Sequence, residues 1–199
     1  MDRYLSFGAG VNSTALMLLL LDQGIDFEAV FADPGSEHPE TYKYLDYLNQ
    51  KGYRVTHLKT LCEDLPLYEY MFYRGALPNI WSRWCTDKYK VKPLHKYFQK
   101  PALVYLGIDY GESYRAKESR NTEIENIFPL VDEGIDRSAC IKIIEEHGLR
   151  VPRKSGCFFC FFSGKSQFNQ LQREYPCEFQ NIRDLEEAVT SLKEQRGQE

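Results

Sequence analysis

The sequence has no apolar run long enough to cross a membrane. Its best candidate covers residues 15–21 and ends at Asp22, well short of the roughly 18 residues that indicate a transmembrane helix. The residues from Met1 to Tyr4 form no basic segment and lead to no cleavage-site pattern, so we expect no secretory signal. We therefore expect a cytoplasmic protein, in which the six cysteines stay reduced.

Several common site motifs are also absent. Residues 8–14 read Gly-Ala-Gly-Val-Asn-Ser-Thr, without the Gly-Lys-Ser/Thr of a Walker A loop or the third glycine of a dinucleotide-binding fingerprint. Cys157 and Cys160 form a single Cys-x-x-Cys pair, whereas a self-contained zinc site of four cysteines needs two pairs. These absences exclude the commonest nucleotide-binding motifs and leave any metal site incomplete without further ligands.

Basic residues are outnumbered by acidic ones, 25 to 29, and are concentrated in two short segments. The net charge is -4. Residues 83–100 nevertheless carry six basic residues against one acidic residue, and residues 149–165 carry four basic residues and no acidic one. Solvated helix faces explain many such runs, but together the two segments could also form a positive site for a nucleotide or a nucleic-acid backbone.

Strand and helix patterns alternate along the chain. The predicted strands cover residues 4–7, 27–32, 53–58 and 102–108. The predicted helices cover residues 13–21, 39–50, 86–98 (broken at Pro93), 136–147, 166–175 and 178–192, and residues 61–82 are predicted to be irregular. This alternation is typical of an α/β fold with a doubly wound, mostly parallel sheet and helices on both faces. We expect one domain over residues 1–199, with residues 166–199 as a C-terminal helical extension.

The glycine-rich stretch between the first strand and the first helix is a candidate phosphate site. Gly8 and Gly10 let the backbone approach an anion closely, and the free N–H groups and the dipole of the following helix favour negative charge. Ligands of parallel sheets bind at the carboxyl ends of the strands, where this loop lies. A plain tight turn is the alternative interpretation.

Four stretches together carry a family resemblance. Residues 6–14 resemble the Ser-Gly-Gly-x-Asp-Ser pyrophosphate loop of the PP-loop ATP pyrophosphatases, and residues 31–41 resemble the second-strand signature of their phosphoadenylyl-sulfate reductase-like branch. Residues 83–93 are similar to the Cys-Thr...Lys...Pro element of the Dnd-type DNA phosphorothioation enzymes. Residues 107–115 are similar to the Gly-Ile-Arg-x-x-Glu-Ser-x-Arg element of the same branch. The resemblance implies an adenine nucleotide alpha hydrolase-like fold and the use of ATP with Mg²⁺.

The resemblance also implies roles for particular residues. The expected nucleotide-binding residues are Ser6, Gly8, Ala9, Gly10, Asn12, Ser13, Thr14, Asp33, Gly107, Glu112 and Arg115. The expected catalytic residues are Asp33, Cys85, Lys88, Lys92 and Arg115. Asn12 stands where the family has Asp, which removes a carboxylate that could help to hold magnesium.

The cysteines divide into candidate ligands and others. Cys-x-x-Cys spacing lets Cys157 and Cys160 share a metal or cluster. With Cys85 as a third ligand, the resemblance implies a [4Fe-4S] cluster; zinc, or a metal-free dithiol, remains an alternative. Cys140 is expected in the core, and Cys62 and Cys177 are weaker candidates.

We therefore expect an ATP-dependent sulfur transferase that adenylates an oxygen on a nucleic acid, either a DNA backbone phosphate or a tRNA base, and replaces it with sulfur. A cysteine desulfurase is the expected sulfur donor, and a homodimer is an expected assembly. The alternatives are a reductase of adenylylated sulfate and a non-catalytic nucleotide-binding subunit. A true sulfate-assimilating reductase is disfavoured because the sequence ends in Gly-Gln-Glu without the Glu-Cys-Gly-Leu-His nucleophile motif, and because Thr86 follows Cys85 instead of a second cysteine.

Overall fold

A computed structural model describes residues 1–79 and 81–195 of the chain. The end of the predicted helical extension, residues 196–199, lies outside the described residues. The chain divides into two compact units. Unit 1 comprises Met1–Ala32, Pro39–Leu58 and Pro93–Ser155, and unit 2 comprises Asp33–His38, Lys59–Lys92 and Gly156–Glu199. The expectation of one domain with an extension stays a prediction.

The sheet has five strands in the order β3-β2-β1-β4-β5. The strands are β1 (Asp2–Ser6), β2 (Glu28–Asp33), β3 (Thr56–Lys59), β4 (Ala102–Leu106) and β5 (Ile124–Ile127). β1 pairs in parallel with β2 and β4, and β4 pairs in parallel with β5. The parallel α/β class is thus confirmed. β5 was not predicted, because it has only four residues and the two in its middle, Glu125 and Asn126, are polar.

Unit 1 buries one apolar core on each face of the sheet, because successive strand side chains point to opposite faces. Leu5 packs with α1 (Val11–Asp22), α2 (Pro39–Gln50) and α7 (Arg137–Glu146), and its neighbour Tyr4 packs with Leu94 of α5 (Lys92–Tyr97). The short helix α6 (Pro129–Asp132) precedes α7. Most of α1 is buried, which explains its apolar composition on nearly every side.

Unit 2 has a helical core of its own. Its helices are α3 (Leu67–Arg74), α4 (Trp84–Thr86), α8 (Lys165–Glu174) and α9 (Pro176–Gln195), with a π-helical turn over Asp87–Val91. Leu67, Tyr70 and Met71 of α3 pack with Leu185 and Val189 of α9.

Two predictions in this region need correction. The expectation that residues 61–82 are irregular is wrong over α3, because Leu67, Tyr70 and Met71 recur at helical spacing and form a buried face. α3 ends where Gly75 adopts a left-handed conformation at φ 60°. The single helix predicted over residues 86–98 is divided into α4, the π-helical turn and α5, close to the break expected at Pro93.

The helices found in the described part of the chain are all too short or too polar to span a bilayer.

Candidate functional site

The loop between β1 and α1 is organised around the hydroxyl of Ser13. Its Oγ accepts hydrogen bonds from the backbone N–H groups of Gly8 at 3.3 Å and Gly10 at 3.2 Å, and it lies 3.2 Å from the carbonyl oxygen of Gly10. Ala9 between them has a φ of 52°, which curls the backbone so that neighbouring N–H groups converge. Convergent N–H groups at the start of a helix form a cradle suited to an anion.

Gly107, just beyond β4, lies against this loop. A Cβ atom on Gly107 would lie 2.8 Å from the backbone nitrogen of Ser13 and 2.9 Å from its Cα atom. β1 and β4 are adjacent, and in an open sheet the chain leaves such a pair in opposite directions, which opens a crevice at the strand ends. The structure therefore brings Gly107 and the loop together at the place where ligands of such sheets bind.

Asp109 was not among the expected site residues, but it is the partner of Asn12. The Nδ2 atom of Asn12 donates a 2.8 Å hydrogen bond to Oδ2 of Asp109, which is only 4% exposed. The guanidinium of Arg137 lies 3.4 Å from Oδ1 of Asn12. Asp109 stands where the Gly-Ile-Arg-x-x-Glu-Ser-x-Arg element has Arg, and Asn12 stands where the Ser-Gly-Gly-x-Asp-Ser loop has Asp. The two departures from the family pattern are therefore in contact.

Other residues expected at the loop have different surroundings. Ser6 is half-buried at the end of β1. Thr14 is fully buried, next to the hydroxyl of Tyr44, whose pKa burial raises to about 12 while the Thr14 hydroxyl opposes the rise. In the 3-10 helix Tyr110–Arg115, the guanidinium of Arg115 forms a 2.6 Å ion pair with Glu112, and both side chains are nearly half exposed.

Three expected catalytic residues of unit 2 each contact a different group. Lys88 donates to the hydroxyl of Tyr70 at 2.6 Å, and its Nζ lies 3.8 Å from Sγ of Cys62. Lys92 pairs with Asp87 at 2.6 Å in an exposed ion pair. Oδ1 of Asp33 accepts from the backbone N–H of Gly35 at 2.8 Å. Each of these three side chains therefore has a polar partner of its own.

Unit 2 also brings the three predicted ligand cysteines near one another. Burial raises the pKa of the Cys85 thiol, and the neighbouring Cys160 raises it further. Burial also raises the pKa of Cys157, with Glu37, Cys160 and Cys85 adding to the rise. The N–H of Cys160 donates to the carbonyl of Cys157 at 3.0 Å in the turn of the Cys-x-x-Cys pair. The raised pKa values favour the protonated thiols of Cys85 and Cys157 at neutral pH. The thiolate is the reactive form of cysteine, so both thiols are weakly reactive in this state.

An ion pair between Lys90 and Glu37 adjoins Cys157. The Nζ atom of Lys90 lies 2.7 Å from Oε1 of Glu37, which is 2% exposed, and Sγ of Cys157 lies 4.0 Å from the same oxygen. Burial lowers the pKa of Lys90, but Glu37 and the nearby cysteines outweigh burial and raise it overall. The sequence did not indicate this ion pair. Lys88, Lys90 and Lys92 are spaced two residues apart, and no local pattern distinguishes Lys90, which pairs with a buried carboxylate, from the other two lysines.

The predicted metal ligands do not fit a metal site as they are arranged. Among residues 1–79 and 81–195, no three His, Cys, Asp or Glu side chains converge closely enough to hold an ion. The remaining cysteines lie elsewhere: Cys140 is fully buried in the core of unit 1, and Cys177 is exposed. The core position expected for Cys140 is confirmed, and the [4Fe-4S] ligand set stays a prediction.

An apolar cavity of about 390 Å³ lies within unit 2. Phe159 and Phe161 of the Cys-x-x-Cys segment form part of its wall, with Phe168 of α8 and Phe179 of α9. The phenylalanines around the cysteine pair therefore line a cavity instead of a fully packed core.

A parallel sheet with an anion cradle after its first strand is consistent with the class of adenine nucleotide alpha hydrolase-like proteins, also called PP-loop proteins, to which the matching family model belongs. Within this class, the phosphoadenosine phosphosulfate reductase domain matches residues 3–135, about two thirds of the chain. The chain belongs to that family.

Two curated relatives come from Methanocaldococcus jannaschii. The uncharacterized protein MJ0066 is 25% identical over 194 residues, which cover 86% of this chain and 38% of the relative. The uncharacterized protein MJ0973 is 27% identical over 186 residues, which cover 86% of this chain and 44% of the relative. The chain thus spans about two fifths of the length of these relatives.

The fold is also found in a solved structure. The phosphoadenylyl-sulfate (PAPS) reductase from Candida auris, in a phosphate complex, matches with a TM-score of 0.57 and covers 80% of this chain and 83% of its own. Its sequence identity is 15%, so this likeness shows the fold alone.

Proposed function

We propose that this chain binds ATP with Mg²⁺ at the loop after β1 and uses it to activate an oxygen of a nucleic acid for replacement by sulfur. The observation that carries the proposal is the cradle formed by Gly8, Gly10 and Ser13 with Gly107 against it. Membership of the phosphoadenosine phosphosulfate reductase family supports a nucleotide as the ligand. The structure of the similar Candida auris protein was solved as a complex with phosphate. The similarity of residues 83–93 to Dnd-type enzymes supports a nucleic acid as acceptor.

The reaction has two displacements. In the first, the acceptor oxygen forms a bond to the α-phosphorus of ATP while the bond to the bridging oxygen breaks, and pyrophosphate leaves. In the second, the outer sulfur of a persulfide formed by a cysteine desulfurase bonds to the acceptor atom, and the original oxygen leaves with AMP. A second thiol then attacks the remaining sulfur–sulfur bond, which oxidises the two thiols to a disulfide and releases the thiolated acceptor. Donors of the loop stabilise the charge on the departing pyrophosphate.

The roles of the side chains follow from this scheme. Within unit 1, Glu112 would help to position Mg²⁺ or the ribose, and Arg115 would neutralise the developing charge. The roles expected for Asp33, Lys88 and Lys92 of unit 2 stay predictions. Arg115 must then exchange Glu112 for the nucleotide, because the two form an ion pair in the free protein. We also propose that the protein acts in the cytoplasm and assembles as a homodimer.

The family favours a second candidate, the reduction of an adenylylated sulfate. That reaction needs a cysteine to attack the activated sulfur, and Cys85 is the residue predicted for this role. The sequence argues against it, because Thr86 and not a second cysteine follows Cys85.

The products released from ATP distinguish these activities. Purified protein is incubated with sulfide, either DNA or tRNA, and ATP labelled at the α-phosphate or, in a parallel reaction, at the γ-phosphate, and the products are separated by chromatography. We expect labelled AMP in the first reaction and labelled pyrophosphate in the second, formed only when the acceptor is present, and less of both from Ser13→Ala. Release of ADP would contradict the mechanism. Sulfite released in a separate incubation with adenylyl sulfate and a thiol reductant would favour the reductase.

A further inference from the structure

The segment that follows the middle of α3 carries positive charge only. Residues 70–86 contain no Asp or Glu, and their charged residues are Arg74 and Arg83. In a chain of net charge -4, an acid-free stretch of this length is suited to contact a polyanion. The same stretch contains Tyr73 and Trp81, which are among the most exposed large side chains of the described residues.

Trp81 is presented by an ordered turn. Its side chain is 91% exposed, yet its backbone N–H donates to Oδ1 of Asn79 at 2.9 Å. The N–H of Ser82 donates to the same oxygen at 2.7 Å, and the N–H of Asn79 donates back to the carbonyl of Ser82 at 3.2 Å. These bonds hold a large aromatic ring in water, where it gains nothing from burial. A ring exposed in this way is available to stack on a nucleic-acid base.

Arg83 joins this turn to a second exposed ring. The guanidinium carbon of Arg83 lies 4.8 Å from the centre of the Phe162 ring, and Phe162 is 45% exposed. Tyr73 is 63% exposed, and the centre of its ring lies 6.2 Å from that of Tyr70. The centre of the Tyr70 ring lies 5.7 Å from that of Trp84, the residue after Arg83. Ring contacts therefore connect Tyr73 to the residue beside Arg83, and Arg83 contacts Phe162.

We propose that Tyr73, Trp81, Arg83 and Phe162 form a surface that binds unpaired nucleotides of the nucleic-acid acceptor. Bases stack on the exposed rings, and Arg83 contacts a phosphate. This inference rests on the proposed function and narrows its substrate to a single-stranded or unstacked region. Every unpaired base offers a flat face to an aromatic ring, whereas the bases of a duplex are stacked on each other and expose only their edges.

Equilibrium binding in the absence of ATP tests this surface. The full chain is titrated into a fluorescently labelled single-stranded DNA of mixed sequence, the matching duplex, and a single-stranded RNA, and anisotropy is measured at several salt concentrations. We expect the single strands to bind more tightly than the duplex. Trp81→Ala should weaken single-strand binding roughly 5- to 100-fold, the range that loss of one stacked base produces.

Variants of Arg83 separate charge from stacking. Arg83→Ala should weaken binding and lower the slope of log affinity against log salt by about one phosphate contact. Arg83→Lys should restore the salt slope but only part of the affinity, because an ammonium group does not stack on Phe162. Lys142→Ala, an exposed cation of α7, and Leu21→Ala, an exposed apolar residue of α1, are matched controls that should bind like the wild type. Circular dichroism verifies that each variant folds.

The outcomes separate this surface from the proposed function. If the wild type binds single strands and Trp81→Ala and Arg83→Ala bind equally well, the surface is wrong and the nucleic-acid acceptor stands. If the wild type binds no nucleic acid in any form, the acceptor itself is wrong. Tighter binding of the duplex, or loss of self-association in Trp81→Ala with no change in DNA binding, also overturns the proposal and points to groove recognition or a protein partner.

Discussion

The amide of Asn12 and the carboxylate of Asp109 are 97 residues apart in sequence and joined by a 2.8 Å hydrogen bond. The bond ties the first turn of α1 to the segment after β4, beside the loop proposed to bind ATP. A neutral amide at residue 12 allows a nearly buried carboxylate at residue 109, because a second carboxylate there would repel it. The two residues therefore have to be understood as a pair.

Asn12→Asp should destabilise the protein at neutral pH by about 1–3 kcal/mol, because two carboxylates would replace a hydrogen bond. Urea unfolding at neutral pH measures the loss. Asn49→Asp on the exposed surface of α2 is the control and should show almost no loss. An equal loss in both variants would mean that the contact with Asp109 is unimportant.

Gly107→Ala should cost about 2–4 kcal/mol of unfolding free energy, because its methyl group would meet the backbone of Ser13 and backbone atoms cannot rotate away. Gly8→Ala in the same region should cost much less, since its Cβ atom would have only the Ser13 hydroxyl at 3.9 Å as a neighbour. Thermal unfolding of both variants provides the comparison. A Gly107→Ala protein as stable as Gly8→Ala would contradict the close approach of β4 to the loop.

Gly10→Ala should abolish ATP binding, because its Cβ atom would occupy space that the phosphate needs. A second substitution at Ser155 tests this reason. The new Cβ atom would lie 2.8 Å from Oγ of Ser155, a side chain that can rotate, so the cost in stability should be below about 1 kcal/mol. Gly10→Ala combined with Ser155→Ala removes that clash, and calorimetry with MgATP should still detect no binding, whereas Ser155→Ala alone should bind. Recovered binding in the double variant would mean that Ser155, and not a phosphate, needs the space beside Gly10.

Tyr44 should make the stability of the protein depend on pH under alkaline conditions. Burial raises the pKa of Tyr44 from 10 to about 12, so above pH 10 the unfolded chain releases the proton first. The free energy of unfolding should fall by about 1–2 kcal/mol between pH 10 and 12 through this residue, and Tyr44→Phe should lack that part of the fall. Tyr114→Phe, at a residue that is 76% exposed, should behave like the wild type. Parallel curves for Tyr44→Phe and the wild type would contradict the assignment.

Metal analysis tests the predicted ligand set. If Cys85, Cys157 and Cys160 hold a [4Fe-4S] cluster, anaerobically prepared protein contains iron, and replacing any one of them by Ser removes most of it together with the visible absorption. Cys177→Ser is the control, because Cys177 is exposed and outside the set. Protein that contains neither iron nor zinc after anaerobic preparation and reconstitution would mean that the three thiols serve as thiols.

The parts of the fold that could be predicted are those encoded by local periodicity. The apolar runs gave four of the strands and most helices, and α2 has the bounds that its sequence predicts. β5 was missed because it has only four residues, and α3 was missed because it is rich in tyrosine. Packing against residues distant in sequence decides the secondary structure of both segments. Asp109 and Lys90 were missed for a related reason: each acquires its meaning from a partner far away in sequence, Asn12 and Glu37, which no local pattern indicates.

The path of the chain between the two units has a consequence for protein engineering. Each unit is assembled from three separate stretches of chain, so the backbone passes from one unit to the other five times. No single contiguous fragment contains the whole of one unit without parts of the other, and a single proteolytic cut leaves at least one of them incomplete. Attempts to express the cysteine-bearing unit alone, or to exchange it with that of a relative, therefore require rejoined termini and new linkers instead of a simple truncation.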